Sequence, residues 1–269
     1  MTFNKLSIIG GGKVGEALIS SFIKNNLVDK SAIYVTNRRQ ERSDYLVKKY
    51  GIHSASNRDA ANNSDVIFIC VKPQVAEVVL NEIKPILNRN TLVISIMAGT
   101  TISTLENLLN ENQAVVRVMP NTPLRVGKAM SAICGGNYAT PKHIETTQYF
   151  FDAVGRTLVL DEKYFDAVTG LSASGPAFIY IVIESLAEGG VKAGLPRNIA
   201  TELAAQACFG AASMVLETGE HPALLKDEVT TPAGCTIDGI LKLEEGGIRV
   251  TLIKTVMEAS IKAGQLGKK

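Results

Sequence analysis

Leu6-Ser7-Ile8-Ile9-Gly10-Gly11-Gly12-Lys13-Val14-Gly15 is the stretch on which the reading of this chain turns. A short apolar run over 5–9 ends abruptly in glycines, and residues 14–23 then carry apolar side chains at helical spacing. The glycines fit G-x-G-x-x-G. That spacing has a mechanical meaning when it joins a strand to a helix. Gly10 permits the tight turn, Gly12 lets a pyrophosphate approach the backbone, and Gly15 lets the helix pack on the strand. Lys13 and Val14 open that helix, whose first N–H groups lack acceptors within it and lie at the positive end of its dipole. The stretch reads as a dinucleotide-binding turn.

Outward from the turn, strand and helix signals alternate. Residues 32–36 are a β-branched strand candidate, and 42–50 a helix stopped by Gly51. Residues 65–71 and 91–97 are continuous apolar runs of the kind found in strands buried on both faces. Between and after them, 75–87 and 102–110 read as helices and 114–119 as a further strand. This order predicts an α/β fold: a Rossmann-like, parallel sheet covered by helices on both faces, over residues 1–160.

Beyond residue 160 no strand is convincing. Pro176 and Pro196 sit where helices begin, Gly194 and Gly219 where they end. The helix over 177–193 is apolar nearly all round in its first half, which predicts burial on every side. A helical part this apolar, with no Phe or Tyr after Phe209, is expected to complete its core with a second copy. Residues 161–269 are therefore expected to form an all-helical dimerisation domain.

The composition supports this outline and excludes other classes. The chain has 269 residues, enough for two ordinary domains, with 46% hydrophobic and 20% charged residues. A formal net charge of +2 gives no electrostatic case for nucleic acid. The unbroken apolar runs are far short of the roughly 20 residues a bilayer needs, so no membrane span is expected. Residues 6–9 are too short for the apolar region of a signal peptide. Cys70, Cys134, Cys208 and Cys235 lie far apart with no Cys-x-x-Cys pair, so neither a metal site nor a redox motif is expected. Reduced thiols point to the cytoplasm.

The strand ends narrow the ligand. Thr36-Asn37-Arg38-Arg39 closes the second strand with no acid until Glu41. A site for unphosphorylated ribose usually carries Asp or Glu there, whereas Asn and Arg suit a 2′-phosphate, so NADP(H) is expected over NAD(H). Val71-Lys72-Pro73-Gln74, Met97-Ala98-Gly99 and Met119-Pro120-Asn121-Thr122-Pro123 end the next three strands with the small, proline or polar residues a crevice floor requires. In the C-terminal part, Thr236 reads as the N-cap of a helix over 237–245, and Gly234 gives the backbone before it freedom to turn. Such a turn can hold a carboxylate.

These strand-end motifs occur together with Gly170-Leu171-Ser172-Ala173-Ser174-Gly175-Pro176-Ala177, Glu217-Thr218-Gly219-Glu220-His221-Pro222 and Thr231-Pro232-Ala233-Gly234-Cys235-Thr236. In this set the sequence resembles the pyrroline-5-carboxylate reductases of proline biosynthesis, essentially end to end. The resemblance implies a Rossmann domain, a helical domain that dimerises by intertwining, and further assembly of dimers into rings. It implies hydride transfer from NAD(P)H to the C=N carbon of 1-pyrroline-5-carboxylate, giving L-proline.

The cofactor contacts it implies are Gly10, Gly12, Lys13, Val14, Gly15, Asn37, Arg38, Asn57, Val71, Lys72, Pro73, Ala98 and Gly99. For the substrate it implies Glu162, Glu228, Ala233, Gly234, Cys235 and Thr236, with the Thr236 hydroxyl orienting the ring nitrogen. The family's loop usually reads Ser-Pro-Gly-Gly-Thr/Ala-Thr. Thr231, Ala233 and Cys235 depart from it, Glu228 stands where relatives often carry an amide, and Ala233 is expected at negative φ. The alternatives are a reductase of another cyclic imine and a non-catalytic NADP(H)-binding regulator.

Overall fold

The structure, a computed structural model, describes residues 3–266; residues 1, 2 and 267–269, at the outer ends of the two expected domains, lie outside the described residues. The chain packs as two units. One runs to Ser174 and takes back the chain from Ala259; the other is Gly175–Glu258.

In the first unit the strands are β1 Leu6–Ile9, β2 Ile33–Thr36, β3 His53–Ser54, β4 Val66–Ile69, β5 Leu92–Ser95, β6 Val115–Pro120, β7 Ala129–Gly135 and β8 Gly155–Val159. The helices between them are α1 Lys13–Lys24, α2 Gln40–Tyr50, α3 Asn57–Ala61, α4 Ala76–Ile83, α5 Ile102–Leu108 and α6 Pro141–Asp152, followed by α7 Phe165–Val168. The sheet order is β3-β2-β1-β4-β5-β6-β7-β8. The chain steps outward from β1 to β3, then returns to place β4 parallel on the other side of β1. The carboxyl end of β1 is thus the switch point where ligands bind in such sheets.

Why β1 and β4 are apolar without alternation is visible in the packing. Leu6, Ile8, Val66 and Phe68 enter a core beneath α1, α2 and α6, where the Phe22, Phe68 and Phe150 rings meet in tilted and edge-to-face pairs at centroid distances of 4.9–5.3 Å. Ile9, Ile67 and Ile69 enter the opposite core with Leu80, Ile83 and Leu105 of α4 and α5. Both faces are covered, so these strands are apolar nearly throughout, and the buried Ser7 hydroxyl is satisfied by the Ala60 carbonyl at 2.6 Å.

The five expected strands, β1, β2, β4, β5 and β6, pair in parallel, and two further strands extend the sheet beyond β6. β7 runs antiparallel to β6, and β8 parallel to β7. Neither β7, α6 nor β8 is evident from the sequence pattern. β7 (Ala-Met-Ser-Ala-Ile-Cys-Gly) is built largely of small residues, and β8 is a part-exposed edge strand. Both are held by ladder pairing with neighbours rather than by their own propensity.

In the second unit α8 Gly175–Lys192 and α9 Arg197–Thr218 pack through Ala187, Ala200 and Ala204, with Ile183 and Val191 beside them. Gly194 at φ 103° and the Gly219 cap at φ 71° end the two helices as expected. They are followed by α10 Pro222–Val229 and α11 Cys235–Glu245, and α12 is Ile248–Leu266.

The expected burial of α8 on every side is not found within one chain: Tyr180 and Ile181 are 61% and 62% exposed. Two helical stretches, Glu162–Lys192 and Arg197–Thr218, are also long and apolar enough to cross a membrane by length and composition. The expectation of no such segment rested on unbroken apolar runs. It overlooked Gly, Ala, Ser and Thr, which keep a helix apolar on average without lengthening any run.

Candidate functional site

The glycine turn lies at the switch point. Gly10 and Gly11 N–H both donate to the Thr36 carbonyl, at 3.2 and 3.0 Å, tying the turn to the end of β2. Gly10 has φ 104°, and a Cβ there would stand 2.7 Å from the Cys70 carbonyl oxygen at the end of β4. A Cβ on Gly15 would stand 2.3 Å from the Gly10 oxygen. Gly11 is a requirement that the motif leaves open: a Cβ there would meet Asn37 Nδ2 and Leu46 at 2.6 Å. Gly12 is the opposite case. It is exposed, and nothing lies within 4 Å of where its Cβ would be. Gly12 is also the N-cap of α1 and brings no side chain to the first N–H groups, while Lys13 is exposed and Val14 half-buried. A bare helix start facing open space is the cradle a pyrophosphate requires.

At the end of β2, Asn37 Nδ2 is buried without a hydrogen-bond partner. Arg38 and Arg39 are exposed beside it. An orphaned donor next to unengaged cations fits a phosphorylated ribose. Asn57 differs: its Nδ2 already donates to Glu82 Oε2 at 2.8 Å.

Sequence reading missed Arg42. Its Nε donates to the Gly11 carbonyl at 2.9 Å and its Nη2 to the Gly12 carbonyl at 3.4 Å, and Nη2 also pairs with Glu16 on α1. No local pattern marks it, because its partners lie 26–31 residues back along the chain. Burial disfavours ionisation of Glu16, but hydrogen bonds from Arg42, Lys49 and Tyr50 outweigh it and hold the carboxyl at about 2. Because this value is depressed, the associated stability is present above the unfolded value of about 4.3 and is lost as pH falls toward 2. Denaturant melts across that window are expected to show the gap between the parent and Glu16→Gln closing as pH falls.

The other strand ends are as follows. Lys72 is exposed in extended backbone after Val71, and Pro73 opens a single turn, Pro73–Val75. Ala98 and Gly99 follow β5, with Gly99 at φ 71°. Glu162 Oε1 accepts from the Ile102 N–H at 2.7 Å, at the start of α5, and from Arg117 Nη1 at 2.8 Å. Arg117 is 4% exposed and lies over the Phe165 ring at 4.6 Å. That oxygen of Glu162 therefore serves the fold, neutralising a buried guanidinium. Burial pushes the Cys70 thiol up, and burial with the nearby Glu162 does the same to Cys134, so neither is an activated nucleophile. Among the described residues no His, Cys, Asp and Glu group has the makings of a metal site.

In the second unit the signature loop joins α10 to α11. The Gly234 N–H donates to the Thr231 carbonyl at 3.0 Å, closing a turn. Two expectations are corrected here. Ala233 has φ 57°, in the left-handed region, not the expected negative φ; Gly234 is at φ −78°, so the conformational freedom is demanded one residue earlier than expected. The N-cap of α11 is Gly234, not Thr236, and it makes no side-chain cap. Thr236 is the second residue of the helix, half-buried, and its hydroxyl has no hydrogen-bond partner among the described residues. Cys235 and Glu228 are exposed.

Left-handed backbone costs an L-residue about 1–2 kcal/mol, partly offset by the lower chain entropy of Ala in the unfolded state. Ala233→Gly is accordingly expected to stabilise the protein by about 0.5–1 kcal/mol, read as a higher denaturation midpoint.

Comparison with known proteins agrees with this geometry. Residues 162–266 match the family model described as pyrroline-5-carboxylate reductase dimerisation, and residues 5–99 match the one described as NADP oxidoreductase coenzyme F420-dependent. The chain is 45% identical over 270 residues to a pyrroline-5-carboxylate reductase of Methanosarcina acetivorans, covering 100% of both. It is 37% identical to that of Escherichia coli, covering 98% of each. Among solved structures, a pyrroline-5-carboxylate reductase from Coxiella burnetii superposes with TM-score 0.93 at 33% identity, covering 100% of both chains. A Plasmodium falciparum pyrroline carboxylate reductase with NADP bound superposes with TM-score 0.87 at 32% identity, covering 98% of each. Matched over its full length by relatives at 37–45% identity, the chain belongs to the pyrroline-5-carboxylate reductase family.

Proposed function

We propose that this chain reduces 1-pyrroline-5-carboxylate to L-proline, the last step of proline biosynthesis, with a nicotinamide cofactor. The observation that carries the substrate is the end-to-end match to curated pyrroline-5-carboxylate reductases, which leaves no part of the chain unaligned with an enzyme of that name.

The first unit supplies the cofactor site. Gly10, Gly12 and Gly15 shape the turn, and the N–H groups of Gly12, Lys13 and Val14 receive the pyrophosphate. Asn37 and Arg38 receive the 2′-phosphate, which makes NADP(H) the preferred cofactor and NAD(H) an accepted one. Val71, Lys72, Pro73, Ala98 and Gly99 line the crevice beyond β4 and β5, and Asn57 contributes through its backbone, its amide being spent on Glu82. The bound cofactor supplies a hydride. The second unit supplies the substrate loop. Ala233, Cys235 and Thr236 present backbone N–H groups to the carboxylate at the uncapped start of α11, Gly234 shaping the turn with its own N–H on Thr231, and the Thr236 hydroxyl orients the ring nitrogen. Glu228 attracts the product's ammonium, and Glu162 offers only its second oxygen, Oε2.

The described histidines all have other settings. His53 stacks on Tyr34, His143 accepts from the Thr140 N–H, and His221 accepts from the Ala223 N–H. An imine that becomes iminium on protonation needs positioning more than a general acid, and positioning is what these residues offer. The exposed apolar side chains of α8 and α9 are covered by a second copy, giving a cytoplasmic homodimer that assembles further into a ring.

The test follows cofactor absorbance with NADPH and then NADH in the presence of 1-pyrroline-5-carboxylate, with proline measured as product. Rapid oxidation yielding proline, faster at low NADPH than at low NADH, supports the reading. Nucleotide binding without turnover favours the regulator. Light scattering at a single-chain mass would remove the dimer.

A further inference from the structure

The run Gly10-Gly11-Gly12 has no side chains to fix its backbone, yet its function depends on where its peptide planes point. Gly12 has no neighbour within 4 Å of its Cβ position, and α1 has no side-chain cap to fix its start. Something else must hold the turn. On one side the Thr36 carbonyl takes the N–H groups of Gly10 and Gly11. On the other, the Arg42 guanidinium takes the carbonyls of Gly11 and Gly12.

We propose that Arg42 is a positioning residue for the cofactor: it pins the Gly11 and Gly12 carbonyls and thereby aims the N–H groups of Gly12 and Lys13 at the pyrophosphate. The inference rests on the nucleotide-binding reading above. A trans peptide is planar, with C=O and N–H on opposite sides. Fixing the Gly11 oxygen therefore fixes the direction of the Gly12 N–H, and the Gly12 oxygen, which also accepts the Glu16 N–H at 2.9 Å, fixes that of Lys13.

The same guanidinium solves a second problem. Glu16 lies in the first turn of α1, where an unpaired carboxylate would oppose a bound pyrophosphate. Arg42, Lys49 and Tyr50 all bond to it, so its charge is compensated. Serving two carbonyls and a carboxylate at once takes a planar fork with several donors, which arginine has and lysine lacks. Arg42 is also spent in doing so, and the 2′-phosphate is left to Asn37 and Arg38.

The pyrophosphate is common to both cofactors, so Arg42→Lys is expected to raise the dissociation constants of NADPH and NADH by the same factor, about tenfold. These are read by titrating the fluorescence of each cofactor. KM for cofactor should follow, while kcat at saturation stays within about twofold. Lys48→Ala removes an exposed cation from the same helix but touches neither carbonyl nor Glu16, and its dissociation constants should stay within about twofold of the parent. Arg42→Gln is a second variant should Arg42→Lys fail to fold. Unchanged affinity in a folded Arg42 variant, with only a lower melting temperature, would make the contact merely structural and overturn the proposal. Weaker NADPH with unchanged NADH would also overturn it, by assigning Arg42 to the 2′-phosphate. A parent protein that binds neither nucleotide would instead remove the reading beneath.

Discussion

Gly12→Ala and Gly15→Ala are expected to separate cofactor binding from folding at the same turn. At Gly15 the added methyl would stand 2.3 Å from the Gly10 carbonyl oxygen, so backbone has to move. Overpacking of that kind costs about 1–3 kcal/mol of stability. The displaced peptide, Gly10–Gly11, leads directly into the residues whose N–H groups face the ligand, so affinity for NADPH should fall by about a hundredfold or more, nearly 3 kcal/mol. At Gly12 the backbone is ordinary for an L-residue, φ −68° and ψ −161°, and the methyl would meet no protein atom within 4 Å. Stability should therefore change by less than about 1 kcal/mol, the difference between Gly and Ala as an N-cap. Only a ligand lying against the backbone would meet that methyl, and affinity should fall by about tenfold or more. Equal affinity for NADPH in the parent and Gly12→Ala, measured beside unchanged melting temperatures, would show that no nucleotide approaches there.

The second large effect is at Thr236. Its hydroxyl is half-buried and has no partner among the described residues, at the second position of a helix whose N-cap brings no side chain. Removing it breaks no hydrogen bond of the fold, and Ala is the better helix former. Thr236→Ala should thus keep or slightly raise the melting temperature. If the hydroxyl orients the reacting ring nitrogen, losing it costs about 1.4 kcal/mol or more at the transition state, about tenfold in turnover. Thr236→Ser retains the hydroxyl and should recover most of the loss. Turnover of Thr236→Ala within about twofold of the parent, at saturating substrate and cofactor, would end the assignment.

Much of the first unit was legible because its constraints are local. The glycines at 10, 12 and 15 state their own geometry, and the continuous apolar runs at β4 and β5 announce strands covered on both faces. Helix ends at Gly51, Gly194 and Gly219 were legible for the same reason: the left-handed cap is a property of one residue. β7 and β8 were not legible. Their small and part-exposed residues pair with strands that the one-dimensional pattern does not bring beside them.

The site divides along the same line. Which residues stand at the strand ends, and that Thr231 to Thr236 form a turn before a helix, follow from the sequence, because strand ends and caps are written in neighbouring residues. Only the tertiary structure decided what each of them is bonded to. It gave one oxygen of Glu162 to Arg117 and the start of α5, the Asn57 amide to Glu82, and the carbonyls of the glycine turn to Arg42. It placed the left-handed residue at Ala233 rather than leaving the turn to Gly234. Hydrogen bonds and close approaches of this kind join residues 25–60 positions apart. Their energies depend on distance in space, which the order of residues along a chain does not contain.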